Sequence, residues 1–264
     1  MNHAYCLVWS ASHGAYLVAP ETARRGGRAV LAACCLAAAG LAHAQVPAAT
    51  VVPASAPGSA TRATVSANGV PVVNINAANG AGLSYNQYQR YDVDSRGLVL
   101  NNSMARRQSA LAGQVDANAA LGAEARLILN EVVAPQRSVL AGFTEVLGGR
   151  ADVIVANPYG ITCSGCGFIN ADRVTLSPGT PVFGANGSLN ALHVRTGDVL
   201  VQGQGMNASD QQLLDIVTRS LRLDGPLNAR DLHVTTGLAQ WDYAGRTVSG
   251  GATGVGPAPM PGRR

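Results

Sequence analysis

There is no lysine in the 264-residue chain; all 19 of its basic side chains are arginines. Charged residues make up only 13% and aromatic residues 5%. An ordinary globular enzyme carries roughly 25% charge. The net charge is +4, and Arg24, Arg25 and Arg28 against Glu21 account for half of it. The remainder is too small an imbalance to imply a nucleic-acid partner. No run beyond residue 44 is long and apolar enough to span a membrane as a helix. Catalytic signatures are missing as well: no Gly-x-Ser-x-Gly elbow, phosphate loop or His-Glu-x-x-His helix occurs. Asp172, Asp198, Asp224 and Asp231 are scattered beside turns rather than clustered. What the chain does have is 31 glycines and many Asn, Ala and Val residues. That balance suits a repetitive β architecture.

Residues 1–44 have the layout of an export signal. Arg24, Arg25 and Arg28 supply the positive region, Ala29 to Ala42 the apolar run, and Ala42-His43-Ala44 an A-x-A site. Cleavage between Ala44 and Gln45 is expected. Leu31-Ala32-Ala33-Cys34 imitates a lipoprotein box, but the apolar run before Cys34 is too short for that route. The long prefix before the arginines, with Tyr5, Leu7-Val8-Trp9 and Gly14-Ala15, resembles the extended signal region of very large exported proteins of Gram-negative bacteria. An upstream start codon ahead of an ordinary signal is the alternative. Residues 45–66, rich in Ala, Pro, Ser and Thr without periodicity, read as a flexible lead-in. Residues 244–264 read as a disordered tail.

The chain is organised around Arg150 to Pro181. A short apolar run, Val153 to Ala156, meets Asn157-Pro158-Tyr159-Gly160, which suits a type I β-turn. Cys163 and Cys166 follow, then Phe168-Ile169 and a second β-type run, Val174 to Leu176. Such runs between turns read as strands buried on both faces. Cys163 and Cys166 are the sole cysteines after residue 44. One pair cannot complete a four-cysteine zinc site, and a redox pair would need a strand-to-helix setting. A tight turn between them and an oxidising export route favour a local disulfide. Free buried thiols and catalytic thiols remain the other readings.

This stretch resembles the secretion domain of two-partner secretion exoproteins, the filamentous haemagglutinin and contact-toxin group. The family carries Asn-Pro-Asn-Gly followed by Ile-Thr-Cys-x-Gly-Cys-Gly-Phe-Ile-Asn. Here Ile161, Thr162, Cys163, Gly165, Cys166, Gly167, Phe168, Ile169 and Asn170 coincide with it. Tyr159 stands where the family usually has a second Asn. Asn118-Ala119-Ala120-Leu121 occupies the place of a family Asn-Pro-Asn-Leu loop and keeps only Asn118 and Leu121. The loss of proline and of the second amide weakens the expectation of a partner contact there.

Beyond Pro181, Gly187 to Gly197 (GSLNALHVRTG) and Gly225 to Gly237 (GPLNARDLHVTTG) share a pattern. Their spacing predicts two coils of a solenoid, with His193 and His233 at equivalent places. Recurring side chains there are read as structural rather than as ligands or bases. Ser209 to Leu221 fits a helix or a strand by periodicity, and the resemblance favours strand.

The resemblance implies an all-β fold over residues 67–243: a right-handed parallel β-helix with an N-terminal β cap and small antiparallel additions. It implies no enzyme activity and no cofactor or metal. It implies export by the general secretion machinery. It also implies recognition of the Asn118/Leu121 and Asn157–Gly160 motifs by an outer-membrane β-barrel transporter with periplasmic POTRA-type domains, and folding at the cell surface. A host or neighbouring-cell surface is a further expected partner. A carbohydrate-active β-helix enzyme and a free-standing short adhesin are the rival readings.

Overall fold

The structure is a computed structural model that describes Tyr5–Ser10, Ala15–Pro20 and residues 50–249. The signal cleavage site at Ala44 and Gln45, most of the signal and the tail beyond residue 249 lie outside the described residues. Two units separate, Met1–Ala48 and Ala49–Arg264. In the first, Tyr5–Ser10 and Ala15–Pro20 pair antiparallel, Tyr5 opposite Pro20 and Ser10 opposite Ala15.

The second unit is a parallel β-helix. Among the described residues it holds strands and no helix. From Leu127 onward the chain visits three walls in turn. Wall one is built from Leu83–Tyr91, Leu127–Val132, Ala151–Ala156, Ala171–Ser177, Leu213–Thr218 and Leu232–Thr236. Wall two is Ser138–Leu140, Ile161–Cys163, Val199–Val201 and Leu221–Leu223. Wall three is Pro71–Asn74, Leu98–Asn102, Phe143–Gly148, Cys166–Ile169, Met206–Ala208 and Leu227–Ala229. The strand runs are short because a corner interrupts each one.

Register explains which residues are buried. Ile128, Val153, Val174, Leu214 and Leu232 stack one above the next. All are fully buried except Leu232, whose strand has no wall-one neighbour beyond it among the described residues. The neighbouring inward column is Asn86, Asn130, Val155, Leu176, Ile216 and Val234. Its first two members are buried amides. Asn130 accepts from the Tyr88 hydroxyl at 3.0 Å and donates to the Ile154 carbonyl at 3.3 Å, so its burial carries no orphaned group.

Two antiparallel additions cover the outside. Arg107–Ser109 and Gly113–Val115 form a hairpin over wall three, burying Val72, Val99 and Leu147 against Ala112 and Val115. Glu145 anchors it. Its carboxylate accepts from Ser109 Oγ at 2.5 Å, Ala110 N at 2.9 Å and Leu111 N at 3.1 Å. The second addition is a four-stranded sheet, Thr180–Phe183, Leu189–Val194, Ala239–Asp242 and Val248–Ser249, laid over wall one.

Three expectations change. Residues 45–66 are not a plain lead-in: Val51–Pro53 pairs antiparallel with the end of Leu83–Tyr91, and Arg62–Val65 with Pro71–Asn74. These strands cap the N-terminal end of walls one and three, an end that would otherwise expose unpaired backbone. The domain therefore starts before residue 67, and at its other end it continues past 243 to Val248–Ser249. The two LHV segments are not equivalent coils. Leu189–Val194 lies in the antiparallel outer sheet, whereas Leu232–Thr236 is the last wall-one strand among the described residues. His193 pairs with Gln240, and His233 with Asp215. The alternating Leu-His-Val pattern suits any strand, so it does not select a partner. The true turn is set by the register, 25 residues from Ile128 to Val153 and 21 from Val153 to Val174. The ambiguous segment is a strand, Leu213–Thr218.

Candidate functional site

Asn157 ends a wall-one strand and opens the corner to wall two. It is fully buried. Its side-chain oxygen accepts from Tyr159 N at 2.9 Å, and its carbonyl accepts from Gly160 N at 2.9 Å. The Asn side chain thus closes its own turn. Nδ2 reaches down one turn and donates to the Gln136 carbonyl and to Ser138 Oγ, each at 2.9 Å. One side chain therefore shapes a corner and staples it to the corner below. Gly160 has φ +100°, which an L side chain adopts only with strain. Pro158 is half-buried, and Tyr159 is the exposed member, at 46%.

The corner is gripped from both sides. Below it, Arg137 donates from Nε to Thr162 Oγ1 at 2.7 Å and from Nη2 to the Ile161 carbonyl at 2.9 Å. The same guanidinium grips Asp198 with two bonds of 2.9 Å. That fork holds the Asp198 carboxyl below the usual carboxylate range. Above it, Thr196 Oγ1 donates to the Pro158 carbonyl at 3.1 Å. Arg137, Ser138, Thr196 and Asp198 are absent from the sequence-level site. Arg137 and Asp198 are 61 residues apart, and no local signal links them.

The second motif has the same construction. Asn118 is buried, accepts from Ala120 N at 3.1 Å through its side chain and from Leu121 N at 3.1 Å through its carbonyl. Nδ2 donates to the Ile75 and Asn101 carbonyls, at 2.9 and 3.0 Å. Leu121 is buried in the core of the helix. Ala119 and Ala120 have replaced the expected Pro and Asn, yet the turn closes, because Asn118 alone supplies the bonds that make it.

Cys163 and Cys166 face each other across a two-residue turn, Cα atoms 5.4 Å apart, with sulfurs in bonding contact. Both are buried in the core. Gly165 takes φ +97° in that turn. Gly167 has a different reason to be glycine. A Cβ there would run into two carbons of the Phe143 ring and would stand 3.0 Å from the Asn207 carbonyl oxygen. Asn170 sits at φ 58° and uses Nδ2 to bond the Val146 and Gly148 carbonyls, at 2.8 and 3.0 Å. The conspicuous Cys-Ser-Gly-Cys-Gly-Phe-Ile-Asn run is thus a wall-two to wall-three corner, its odd residues each answering a local packing demand. Among the described residues no group of three or more His, Cys, Asp or Glu side chains is gathered as a metal site.

Comparison with known proteins agrees with this geometry. Residues 1–52 match the Extended Signal Peptide of Type V secretion system family, and residues 49–263 match the TPS secretion domain family. A tRNA nuclease CdiA of Escherichia coli (strain STEC_O31) is 46% identical over 183 residues, 68% of this chain and 6% of that protein. A 16S rRNA endonuclease CdiA of Enterobacter cloacae is 48% identical over 174 residues, 65% of this chain and 5% of that protein. The chain therefore spans about one-twentieth of the length of these relatives. Among solved structures, the filamentous hemagglutinin secretion domain superposes with a TM-score of 0.70 at 33% identity, covering 80% of this chain and 71% of that one. An extended signal followed by such a domain places the product outside the cell, as a secreted, cell-surface exoprotein of a Gram-negative bacterium. With its β-helix, its stapled corners and these matches in series, the chain belongs to the TPS secretion domain family of two-partner secretion exoproteins.

Proposed function

We propose that this domain is the export address of a contact-toxin-type exoprotein, read by an outer-membrane β-barrel transporter through periplasmic POTRA-type domains while the chain is still unfolded. The general secretion machinery delivers it to the periplasm, and the signal is cleaved at Ala44–Gln45. The domain itself does no chemistry. The carrying observation is that Asn118 and Asn157 are spent inside the folded helix, 2% and 0% exposed. A partner that reads either amide must do so before the corners close. Strand addition is the mode that suits such a chain. The wall segments are short, extended and mostly apolar, and they can pair with a sheet edge of the transporter before they pair with one another. Folding outside then buries the apolar columns and opposes return. The relatives named CdiA favour the contact-toxin reading over a free-standing adhesin.

In a strain carrying the cognate transporter, deleting Asn157–Gly160 should abolish surface export while signal cleavage proceeds. Undiminished export by that deletion sinks the proposal. We propose further that Cys163 and Cys166 are oxidised in the exported protein. Its mass should then lie two hydrogens below that of the dithiol, and a pair that alkylates freely in the unreduced, denatured protein would refute this.

A further inference from the structure

We propose that Ala239–Ser249 is a strap that closes over a β-helix already formed, and that it opens as a separate unit. This goes beyond the export reading and does not depend on it. The outer sheet takes its strands from two distant places. Thr180–Phe183 and Leu189–Val194 come from an insertion between walls one and two, and Ala239–Asp242 and Val248–Ser249 follow the last wall-one strand. All three walls are hydrogen-bonded without the strap. What the strap adds is a lid: Trp241 is fully buried beside Ile154, Leu192 and Val217.

Beyond its ladder with Leu189–Val194, its attachment to wall one is concentrated on one side chain. Arg173 bonds Asp215 through Nε at 2.6 Å, and Asp215 is almost completely buried. The Arg173 guanidinium carbon stands 4.4 Å from the centroid of the Tyr243 ring and 5.3 Å from that of Trp241. The guanidinium also donates to the Tyr243 carbonyl at 3.3 Å. The Tyr243 hydroxyl reaches across to Asp152 at 2.6 Å. A cation stacked between an acid and two aromatic faces is a specific clamp.

The clamp is also imperfectly satisfied. Trp241 Nε1 in the strap and Thr175 Oγ1 beneath it are buried without a hydrogen-bond partner, and the strap's Arg246 Nε meets Asp215 Oδ1 only at 3.6 Å, an ion pair too long for a hydrogen bond. Arg246 adopts φ 55°, a strained region for a residue with a side chain. Unpaired buried groups and backbone strain lower the stability of the element that holds them. The columns of the helix interior carry no comparable concentration. The strap is therefore the element that lets go first.

Trp9 and Trp241 are the sole tryptophans, so in the full chain carrying Trp9→Phe the indole signal reports the strap alone. Urea unfolding is followed by that emission and by far-UV circular dichroism, in the parent and in Arg173→Gln. In the variant the emission midpoint should fall well below the dichroism midpoint, and acrylamide quenching of Trp241 in plain buffer should rise several-fold. Emission and dichroism transitions that stay superimposed in both proteins overturn the proposal. Should Arg173→Gln fail to fold, hydrogen exchange of the parent decides. The amides of Ala239–Asp242 are expected to exchange at least about tenfold faster than those of Ala151–Ala156, and equal protection overturns it.

Discussion

Asn157→Ala tests the corner staple directly. The substitution deletes two donated bonds, to the Gln136 carbonyl and Ser138 Oγ, and one accepted from Tyr159 N. These losses are not equal. Gln136 and Tyr159 lie at the surface, and water can replace what they lose. Ser138 is 1% exposed, so its hydroxyl is left facing a dry hole. An orphaned buried group costs about 1–3 kcal/mol, and the small cavity adds to it. The expected total is about 2–4 kcal/mol, a large share of the roughly 5–15 kcal/mol that holds a domain together. The assay is urea unfolding of the full chain by far-UV circular dichroism, with a lowered midpoint at unchanged slope. Tyr159→Ala is the internal control. Its side chain is largely exposed, so its effect should stay within about 0.5 kcal/mol. If Asn157→Ala costs less than Tyr159→Ala, the staple is not what holds the corner.

Asn118→Ala should cost as much as Asn157→Ala, about 2–4 kcal/mol in the same titration, although its motif is degenerate; a neutral effect would mean that the shared geometry is incidental. Replacing both Cys163 and Cys166 by Ser should lower stability by at least about 2 kcal/mol, the loop-closure value for so short a ring, with the two buried hydroxyls adding to it, and reductant should attack the native protein slowly because both sulfurs are buried. Gly167→Ala should destabilise by about 1–3 kcal/mol through overpacking, with part of the loss restored by adding Phe143→Ala; an unchanged loss would point to the Asn207 carbonyl alone. Asp198, held below its ordinary value by Arg137, contributes stability that is present above about pH 4 and is lost as pH falls through its folded value. Asp198→Asn should therefore flatten the acid side of a melting-temperature profile, by a modest amount because the pair is partly open to solvent.

Short-range chemistry was legible in the residues. Val153 to Ala156 and Val174 to Leu176 form strands because β-branched and aliphatic runs between turn formers have few alternatives. Asn157-Pro158-Tyr159-Gly160 turns because each residue suits its place, and the two-residue gap between Cys163 and Cys166 brings their sulfurs together. The resemblance implied a cap, but the strands that build it were not legible in the residues. Val51–Pro53 and Arg62–Val65 have no alternation of their own and become strands because two sheet edges were free to accept them. The similar LHV segments misled for the matching reason, since they share a local pattern and differ in their neighbours.

Local sequence by itself determined the strand runs, the corners, the cysteine turn and, through them, the family and its route out of the cell. Only the tertiary structure decided which strand stacks on which and where the outer sheet lies. It alone decided that Arg137 finds Asp198, that Arg173 finds Asp215, and that the motif asparagines end up inside. A turn or a strand is settled by dihedral preferences within a few residues, whereas a stacked β-helix is settled by register between residues about twenty apart, and a single chain carries no local mark of that pairing.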